Sequence, residues 1–220
     1  MANINTIIFD LDQTLIDRKA TFCHFLKQQY SSFQSEMNAV DIEKYMQEIL
    51  KFDNNGYTEK SIVYKKACDE LNLTVAPSDL LNDFCQNYGQ NPFLFNGVKD
   101  LLLSLQGKYR LGLVTNGRST TQQAKITNSG IATFFSSIKI SQEVGVKKPD
   151  PLIFKECIDE LGVEAASCVF VGDHPVNDVE AALSFGMKAI WVNNGDYADP
   201  EKCDAMINSV LELDNVLSGF

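Results

Sequence analysis

The chain has 220 residues, of which 45% are hydrophobic, and its formal net charge is −10. This length predicts one core with an inserted module, and the negative charge argues against binding to a nucleic acid polymer. No apolar run reaches the roughly 18 residues of a membrane span, and the first residues lack the basic segment of a signal peptide. We therefore expect a cytoplasmic protein without a membrane partner, whose six cysteines are reduced thiols.

Two acidic residues follow the first apolar segment. Residues 4–9 predict a buried strand, and Asp10 and Asp12 come directly after it. Ligands of parallel α/β sheets bind at the carboxyl ends of the strands, so both carboxylates are expected at a site. Adjacent carboxylates repel each other unless a cation or a shared proton intervenes, and Mg²⁺ prefers oxygen ligands. The alternative is that Asp10 only ends a strand and Asp12 only opens a turn.

Residues 17–93 show helical spacing of apolar side chains and no convincing strand. We expect about four helices in series, which form a small bundle inserted after the first strand. The expected domains are therefore a core of residues 1–16 and 94–220 and a helical cap of residues 17–93.

After residue 94 strands alternate with helices. The apolar runs predict strands at residues 109–114, 136–140, 168–171 and 189–192. Helices are expected between them, and a last helix is expected over residues 204–217. This alternation is typical of a Rossmann-like, doubly wound parallel sheet in an α/β protein.

Polar residues follow two of these predicted strands. Thr115, Asn116 and Gly117 end the second strand and precede a helix, so the hydroxyl and the free backbone N–H groups suit a phosphate. Lys148 precedes a helix that begins with proline, where its ammonium would reach phosphate oxygens. The alternatives are a simple capping turn at residues 115–117 and a solvated surface lysine at residue 148.

The strand at residues 168–171 is followed by Gly172 and Asp173. Asp173 is expected to complete a metal site with Asp10 and Asp12, and Asp178 opens the next helix as an N-terminal charge or as support for the ligands. His174 is a less favoured candidate for the catalytic base, because Asp12 is expected to act as the acid and base.

These residues together resemble the haloacid dehalogenase superfamily over the whole chain. Asp10-Leu11-Asp12-Gln13-Thr14-Leu15 matches its first motif, Thr115 the second, Lys148 the third, and Gly172-Asp173 with Asp178 the fourth. The position of the helical insert, between the first two motifs, matches the α-helical cap of the family. The resemblance implies a Rossmann-like core, a mobile cap, dependence on Mg²⁺ and an aspartyl-enzyme intermediate.

The residues suit the implied chemistry. Asp10 would attack phosphorus, and Asp12 would protonate the leaving alkoxide and then deprotonate the attacking water. Mg²⁺ is expected on Asp10, on the backbone carbonyl of Asp12 and on Asp173. Thr115 and Lys148 would hold the phosphoryl oxygens and stabilise the transition state.

Other reactions of the same fold remain alternatives. A halide leaves without a proton, so a 2-haloacid dehalogenase needs no acid at Asp12. A phosphomutase needs that acid, but mutases of the family commonly carry Glu-Asp where this chain has Gly172-Asp173. A non-catalytic binding protein would be expected to have lost at least one member of the set. We therefore expect a phosphatase.

The expected substrate is a small phosphomonoester, such as a nucleotide or another metabolite phosphate, because a cap over the site would exclude macromolecules. Asn116 and Gly117 are expected to contact it with Thr115 and Lys148. Asp17 and Arg18, near the expected hinge, would touch the leaving group, and the alternative is that they are exposed charges. A monomer is expected.

Overall fold

The computed structural model describes residues 4–219, which form two compact units, residues 4–18 with 92–219 and residues 19–91. We call the first the core unit and the second the helical unit. The sequence-based division at residues 16/17 and 93/94 stays a prediction, and its residues 1–3 and 220 lie outside the described part. Within residues 4–219, none of the helices has the length and apolar composition that crossing a membrane requires.

A six-stranded parallel sheet forms the centre of the core unit, in the order β3-β2-β1-β4-β5-β6. Ile7 of the central strand pairs with Leu111 on one side and Val169 on the other. The strands are β1 Thr6–Phe9, β2 Arg110–Thr115, β3 Ser137–Ile140, β4 Cys168–Gly172, β5 Lys188–Val192 and β6 Ala205–Ile207.

Four α-helices lie within residues 18–87. They are α1 Arg18–Ser32, α2 Ile42–Asp53, α3 Lys60–Leu71 and α4 Pro77–Asn87. Their shared core includes the buried side chains of Phe22, Tyr45, Tyr64 and Phe84. Gln29 links three of the helices, because its amide donates to Leu80 O at 2.9 Å and accepts from Tyr45 Oη at 2.7 Å.

The remaining helices flank the sheet. They are α5 Val98–Gln106, α6 Ser119–Asn128, α7 Ser141–Val144, α8 Pro151–Leu161, α9 Ala181–Phe185 and α10 Leu213–Leu217. Successive side chains of a strand point to opposite faces, so Ile7 and Phe9 join one apolar layer and Ile8 joins the other. Apolar layers on both faces of a parallel sheet define the doubly wound α/β architecture, and the predicted fold class is confirmed.

One prediction about local structure is wrong. The helix expected over residues 204–217 is instead strand β6, a 3-10 turn at Val210–Glu212 and the short α10. The Asp204 carboxylate accepts from Ala189 N at 2.9 Å, which ties this segment to β5 before it pairs as an edge strand. The helix expected between the strands at residues 168–171 and 189–192 is present, and it begins as a π-helical segment, Pro175–Glu180, which continues into α9.

Candidate active site

Three neighbouring strands bring the predicted site residues to one edge of the sheet. Asp10 follows β1, Thr115 ends β2 and Asp173 follows β4, and β1 lies between the other two strands. Because all strands are parallel, their carboxyl ends meet at the same edge. Asp10 N donates to Val171 O at 2.9 Å, so the sheet ladder continues to the point where the acidic side chains begin.

Three buried carboxylates form an acidic cluster at this edge. Asp10, Asp173 and Asp178 each offer an oxygen, and these atoms lie within 4.8 Å of one another. Burial raises the pKa of Asp10, which Lys148 partly offsets, and burial together with the other two carboxylates raises the pKa of Asp173. Buried oxygens that repel one another are a donor set that suits a hard divalent cation, so the acidic cluster fits a metal ion.

Lys148 supplies a positively charged side chain that contacts the acidic cluster. Its Nζ lies 2.6 Å from Asp10 Oδ1 and 2.7 Å from Asp178 Oδ1, and it donates to Val114 O at 2.9 Å. Burial lowers its pKa, but the two carboxylates outweigh burial and raise it above its usual value. Lys148 is therefore charged and buried, with its ammonium directed to the acidic cluster and not to solvent.

Asp178 enters the cluster because residue 172 has no side chain. A Cβ on Gly172 would lie 2.4 Å from Asp178 Oδ2 and 2.6 Å from its Cβ. The same carboxylate accepts from His174 N at 3.0 Å, which fixes the start of the π-helical segment against the end of β4. π-helical segments of this kind frequently occur at functional sites.

The Asp12 side chain lies outside the acidic cluster. Its two oxygens accept from Lys125 Nζ at 2.7 and 2.9 Å, and Oδ2 also accepts from Gln122 Nε2 at 3.0 Å. Burial alone raises the pKa of Asp12, but the charges of Lys125 and Arg18 outweigh it and lower the pKa below its usual value. The resting carboxylate is therefore ionised. The expected metal contact of its backbone carbonyl stays a prediction.

The amide side chain of Asn116 connects the Thr115-Asn116-Gly117 segment to the backbone of Lys148. Asn116 Oδ1 accepts from Lys148 N at 2.8 Å, and Asn116 Nδ2 donates to Lys148 O at 3.0 Å. Thr115 Oγ1 accepts from Gln122 Nε2 at 2.7 Å. Asn116 thus fixes the backbone of Lys148 relative to β2.

Arg18 and His174 occupy different places around the site. Arg18 is the first residue of α1, its backbone N–H donates to Gln13 Oε1 at 2.9 Å, and its charge acts on Asp12. His174 Nδ1 accepts from Val176 N and Asn177 N, both at 3.1 Å, so the imidazole caps the π-helical segment. Burial lowers the pKa of His174, which keeps this accepting nitrogen unprotonated.

Three residues at the site were not predicted from the sequence. Gln122 and Lys125 contact Asp12, and Asn194 Nδ2 donates to Asp173 Oδ2 at 3.0 Å. Asn194 carries the same signal as the predicted residues, because it is a polar residue just after strand β5. The signal for Gln122 and Lys125 is weaker, since polar residues three positions apart on a helix are common on exposed faces.

The fold and the acid-bearing strand ends are those of a hydrolase with a Rossmann-like core. The chain belongs to the haloacid dehalogenase-like hydrolase family, because the sequence model of that family matches residues 7–192. The resemblance inferred from the four motifs is thereby confirmed, as is the assignment as a hydrolase.

Several curated relatives are phosphatases. N-acylneuraminate-9-phosphatase of Mus musculus is 37% identical over 60% of this chain and 54% of that protein, so the chain spans about half of its length. Glyceraldehyde 3-phosphate phosphatase of Pyrococcus furiosus is 28% identical over 99% of this chain and 94% of that protein. Pyrimidine 5'-nucleotidase YjjG of Escherichia coli is 27% identical over 96% of each.

Solved structures share the fold over the whole chain. The magnesium-bound HAD-hydrolase YfnB of Bacillus subtilis has a TM-score of 0.82 at 21% identity and covers 98% of this chain and 99% of its own. A HAD phosphatase of Thermococcus onnurineus has a TM-score of 0.70 at 25% identity, with the same coverage. L-2-haloacid dehalogenase of Xanthobacter autotrophicus has a TM-score of 0.71 at 18% identity, with 99% of each chain covered. Since the fold is common to phosphatases and dehalogenases, the reaction has to be argued from the site.

Proposed function

We propose that the protein is a Mg²⁺-dependent phosphatase that hydrolyses a small phosphomonoester through an aspartyl phosphate on Asp10. The observation that carries this proposal is the acidic cluster, in which a buried carboxylate that can attack phosphorus lies against two further carboxylates and one lysine. The phosphatase names of the relatives with near-complete coverage support it.

Mg²⁺ would be held by Asp10, Asp173 and the backbone carbonyl of Asp12. Asp178, which already pairs with Lys148 and His174 N, would support this set from behind. When bound, the metal ion would reduce the repulsion between the carboxylate of Asp10 and the incoming phosphate.

The side chains would divide the reaction into two steps. In the first, an oxygen of Asp10 forms a bond to phosphorus, the bond to the leaving oxygen breaks, and Asp12 gives that oxygen a proton. Asp12 is ionised at rest, and it would take up this proton when the anionic phosphate lies beside it, because nearby negative charge raises the pKa of a carboxyl. In the second step, Asp12 takes a proton from the water that attacks phosphorus and releases Asp10.

Residues of β2 and the turn before α8 would hold the transferred phosphoryl group. Thr115 accepts a hydrogen bond from Gln122, so its own hydroxyl proton remains to be donated to a phosphoryl oxygen. Lys148 would supply positive charge. The free backbone N–H groups expected after β2 are not available as donors, because Gly117 N and Ser119 N already donate to side-chain oxygens of α7, at 2.9 and 2.8 Å.

The site also bears on the alternative reactions. A dehalogenase has no use for a proton donor, yet two buried donors orient Asp12 here. A mutase with glutamate at residue 172 would need a different arrangement, because even a Cβ at this position meets Asp178. Both observations favour hydrolysis of a phosphomonoester.

The proposed substrate class is a small metabolite phosphate. The names of the relatives refer to a sugar-acid phosphate, a triose phosphate and a pyrimidine nucleotide, which share only a phosphomonoester. We propose that Arg18 contacts the leaving group, because it is the cation nearest in sequence to the first motif. A cap role for the helical unit, a monomeric state and a cytoplasmic location belong to the same proposal.

The experiment is hydrolysis of p-nitrophenyl phosphate by the purified protein with Mg²⁺ and with EDTA. We expect turnover that EDTA abolishes and that Asp10→Asn abolishes while the fold stays intact. Asp159→Asn, on the exposed surface of α8, is the matched control and should retain wild-type activity. Full activity of Asp10→Asn, or equal activity in EDTA, would disprove the proposal.

A further inference from the structure

Two side chains of α6 hold the Asp12 carboxylate. Lys125 Nζ lies 2.7 Å from Oδ1 and 2.9 Å from Oδ2, and Gln122 Nε2 lies 3.0 Å from Oδ2. Because donors reach both oxygens, the carboxylate cannot rotate about its terminal torsion without losing one of these contacts. Gln122 and Lys125 are three positions apart, so they lie on the same face of the helix.

The same face also fixes the hydroxyl of Thr115. Gln122 Nε2 donates to Thr115 Oγ1 at 2.7 Å as well as to Asp12. One amide group therefore connects the carboxylate after β1 with the hydroxyl at the end of β2. Gln122 and Lys125 are both almost completely buried, so water does not compete for these donors.

Gly117 provides the space that Gln122 occupies. A Cβ at residue 117 would lie 2.7 Å from Gln122 Cγ and 2.9 Å from its Cδ. The Gly117 φ of 152° is within the range that favours glycine, so the turn accommodates both the backbone conformation and the close approach. The packing of the amide is thus determined by the turn that precedes α6.

We propose that Gln122 and Lys125 are positioning residues, which hold Asp12 and Thr115 in one fixed orientation for the reaction. This inference rests on the proposed function in assigning the proton transfers to Asp12. Lys125 aligns the carboxylate with the oxygen that it serves in each step, and Gln122 sets its distance from the hydroxyl that binds phosphate. Neither residue exchanges a proton with the substrate.

The test is a double-mutant cycle of Lys125→Met and Asp12→Asn, measured as kcat on p-nitrophenyl phosphate with Mg²⁺. If Lys125 acts through Asp12, Lys125→Met lowers kcat by about 100-fold in the wild-type background and changes it little in the Asp12→Asn background. Lys125→Arg keeps the charge and should restore most of the lost rate. Equal loss in both backgrounds, or no loss in either, would overturn the inference.

The time course gives a readout that a purely structural role would not affect. p-Nitrophenolate leaves readily without a proton, so Lys125→Met should slow release of phosphate from Asp10 more than the first step. We expect a burst of p-nitrophenol close to one equivalent of enzyme, followed by slow turnover, with KM unchanged or lower. A slower first turnover without a burst would contradict the inference.

Gln122→Met tests the second contact with similar volume and no donor. We expect a smaller fall in kcat, of about 10-fold, whereas Gln123→Met on the exposed side of α6 should have no effect. Lys139→Met, which removes a lysine paired with Glu160 outside the site, is the control for loss of charge. Equal rates of Gln122→Met and Gln123→Met would remove Gln122 from the proposal.

Thermal unfolding separates this inference from the proposed function. Lys125→Met should lower the unfolding midpoint more in the wild-type background than in the Asp12→Asn background, because only the first leaves a half-buried carboxylate without the ammonium that pairs with it. This coupling is expected whether or not the protein hydrolyses a phosphomonoester. If the two substitutions do not couple in stability, the contact between Lys125 and Asp12 is refuted. If they couple but the wild-type protein has no phosphatase activity, only the proposed function is refuted.

Discussion

Gly172→Ala tests whether the lack of a side chain at the end of β4 determines the acidic cluster. The added Cβ would lie 2.4 Å from Asp178 Oδ2 and 2.6 Å from its Cβ, distances that real contacts do not reach. Asp178 cannot simply turn away, because its buried carboxylate pairs with Lys148 at 2.7 Å and accepts from His174 N at 3.0 Å. The alanine therefore has to displace Asp178 or bend the end of the strand.

The expected loss in the free energy of unfolding depends on which contacts of Asp178 are retained in the variant. Overpacking alone costs about 1–3 kcal/mol, and breaking a buried ion pair by moving one partner costs about 3–5 kcal/mol. The two terms describe one displacement and do not add, so we expect a loss of about 2–5 kcal/mol in the free energy of unfolding. At this chain length, 1 kcal/mol lowers the unfolding midpoint by roughly 2–4 °C, so the total fall is roughly 4–20 °C.

Trp191 provides the assay, because it is the only tryptophan of the chain and its buried Nε1 donates to Asp173 O at 2.7 Å. Its fluorescence during urea unfolding in EDTA reports on the core unit beside the site. Gly107→Ala is the matched control, since a Cβ there meets nothing within 4 Å and its φ is −73°. It should change stability by less than about 1 kcal/mol. If Gly172→Ala unfolds at the wild-type urea concentration, the proposed confinement of Asp178 is refuted.

Three further variants test the metal ligands and the buried lysine. Asp173→Asn should weaken Mg²⁺ binding and activity together, as titration calorimetry and p-nitrophenyl phosphate hydrolysis would measure, and an unchanged affinity would remove Asp173 from the ligands. Asn194→Ala, which removes the hydrogen bond to Asp173, should weaken Mg²⁺ binding by about 10–100-fold with the fold intact. Lys148→Met leaves Asp10 and Asp178 without their cation, so urea unfolding in EDTA should show a loss of about 3–5 kcal/mol. A loss below about 1 kcal/mol would contradict the pairing.

Much of the sheet could be predicted from the sequence because four of its strands are apolar runs with polar ends and β3 alternates polar and apolar residues. Strand β6 could not be, since it has only three residues and Met206 at its centre is half exposed. Its conformation depends on pairing with β5, which is a tertiary contact and leaves no periodic pattern in the sequence. The order of the strands is likewise set by packing and not by local propensity.

The residues of the candidate site could be predicted where they directly follow a strand, as Asp10 and Asp173 do. Lys125 could not be predicted, because its partner Asp12 is 113 positions away in the sequence. Nothing in the local sequence distinguishes Lys125 from a solvated lysine on a helix. Asp178 was expected to support the ligands, and the structure brings its carboxylate into the acidic cluster itself. The sequence indicates which groups lie at the sheet edge, while their mutual contacts depend on helices packed across it.

The charge of the acidic cluster predicts how phosphate and Mg²⁺ bind. When all three are ionised, the carboxylates and the single ammonium of Lys148 leave a net charge of −2, whereas Asp12 and Lys125 balance each other. Since the pKa is raised to about 7 for Asp10 and to about 8 for Asp173, this state is reached above pH 8 in the absence of a metal ion. Two like unit charges 4 Å apart repel by about 4 kcal/mol at an effective dielectric constant of 20, so the cluster alone should reject a phosphate dianion. Bound Mg²⁺ cancels this charge, and each ligand should therefore increase the affinity for the other. Calorimetry above the raised pKa of Asp173, which is about 8, should detect binding of inorganic phosphate with Mg²⁺ and none in EDTA. Equal affinity under both conditions would show that Lys148 and Thr115 hold the anion without a cation, and would refute this account of the charge balance.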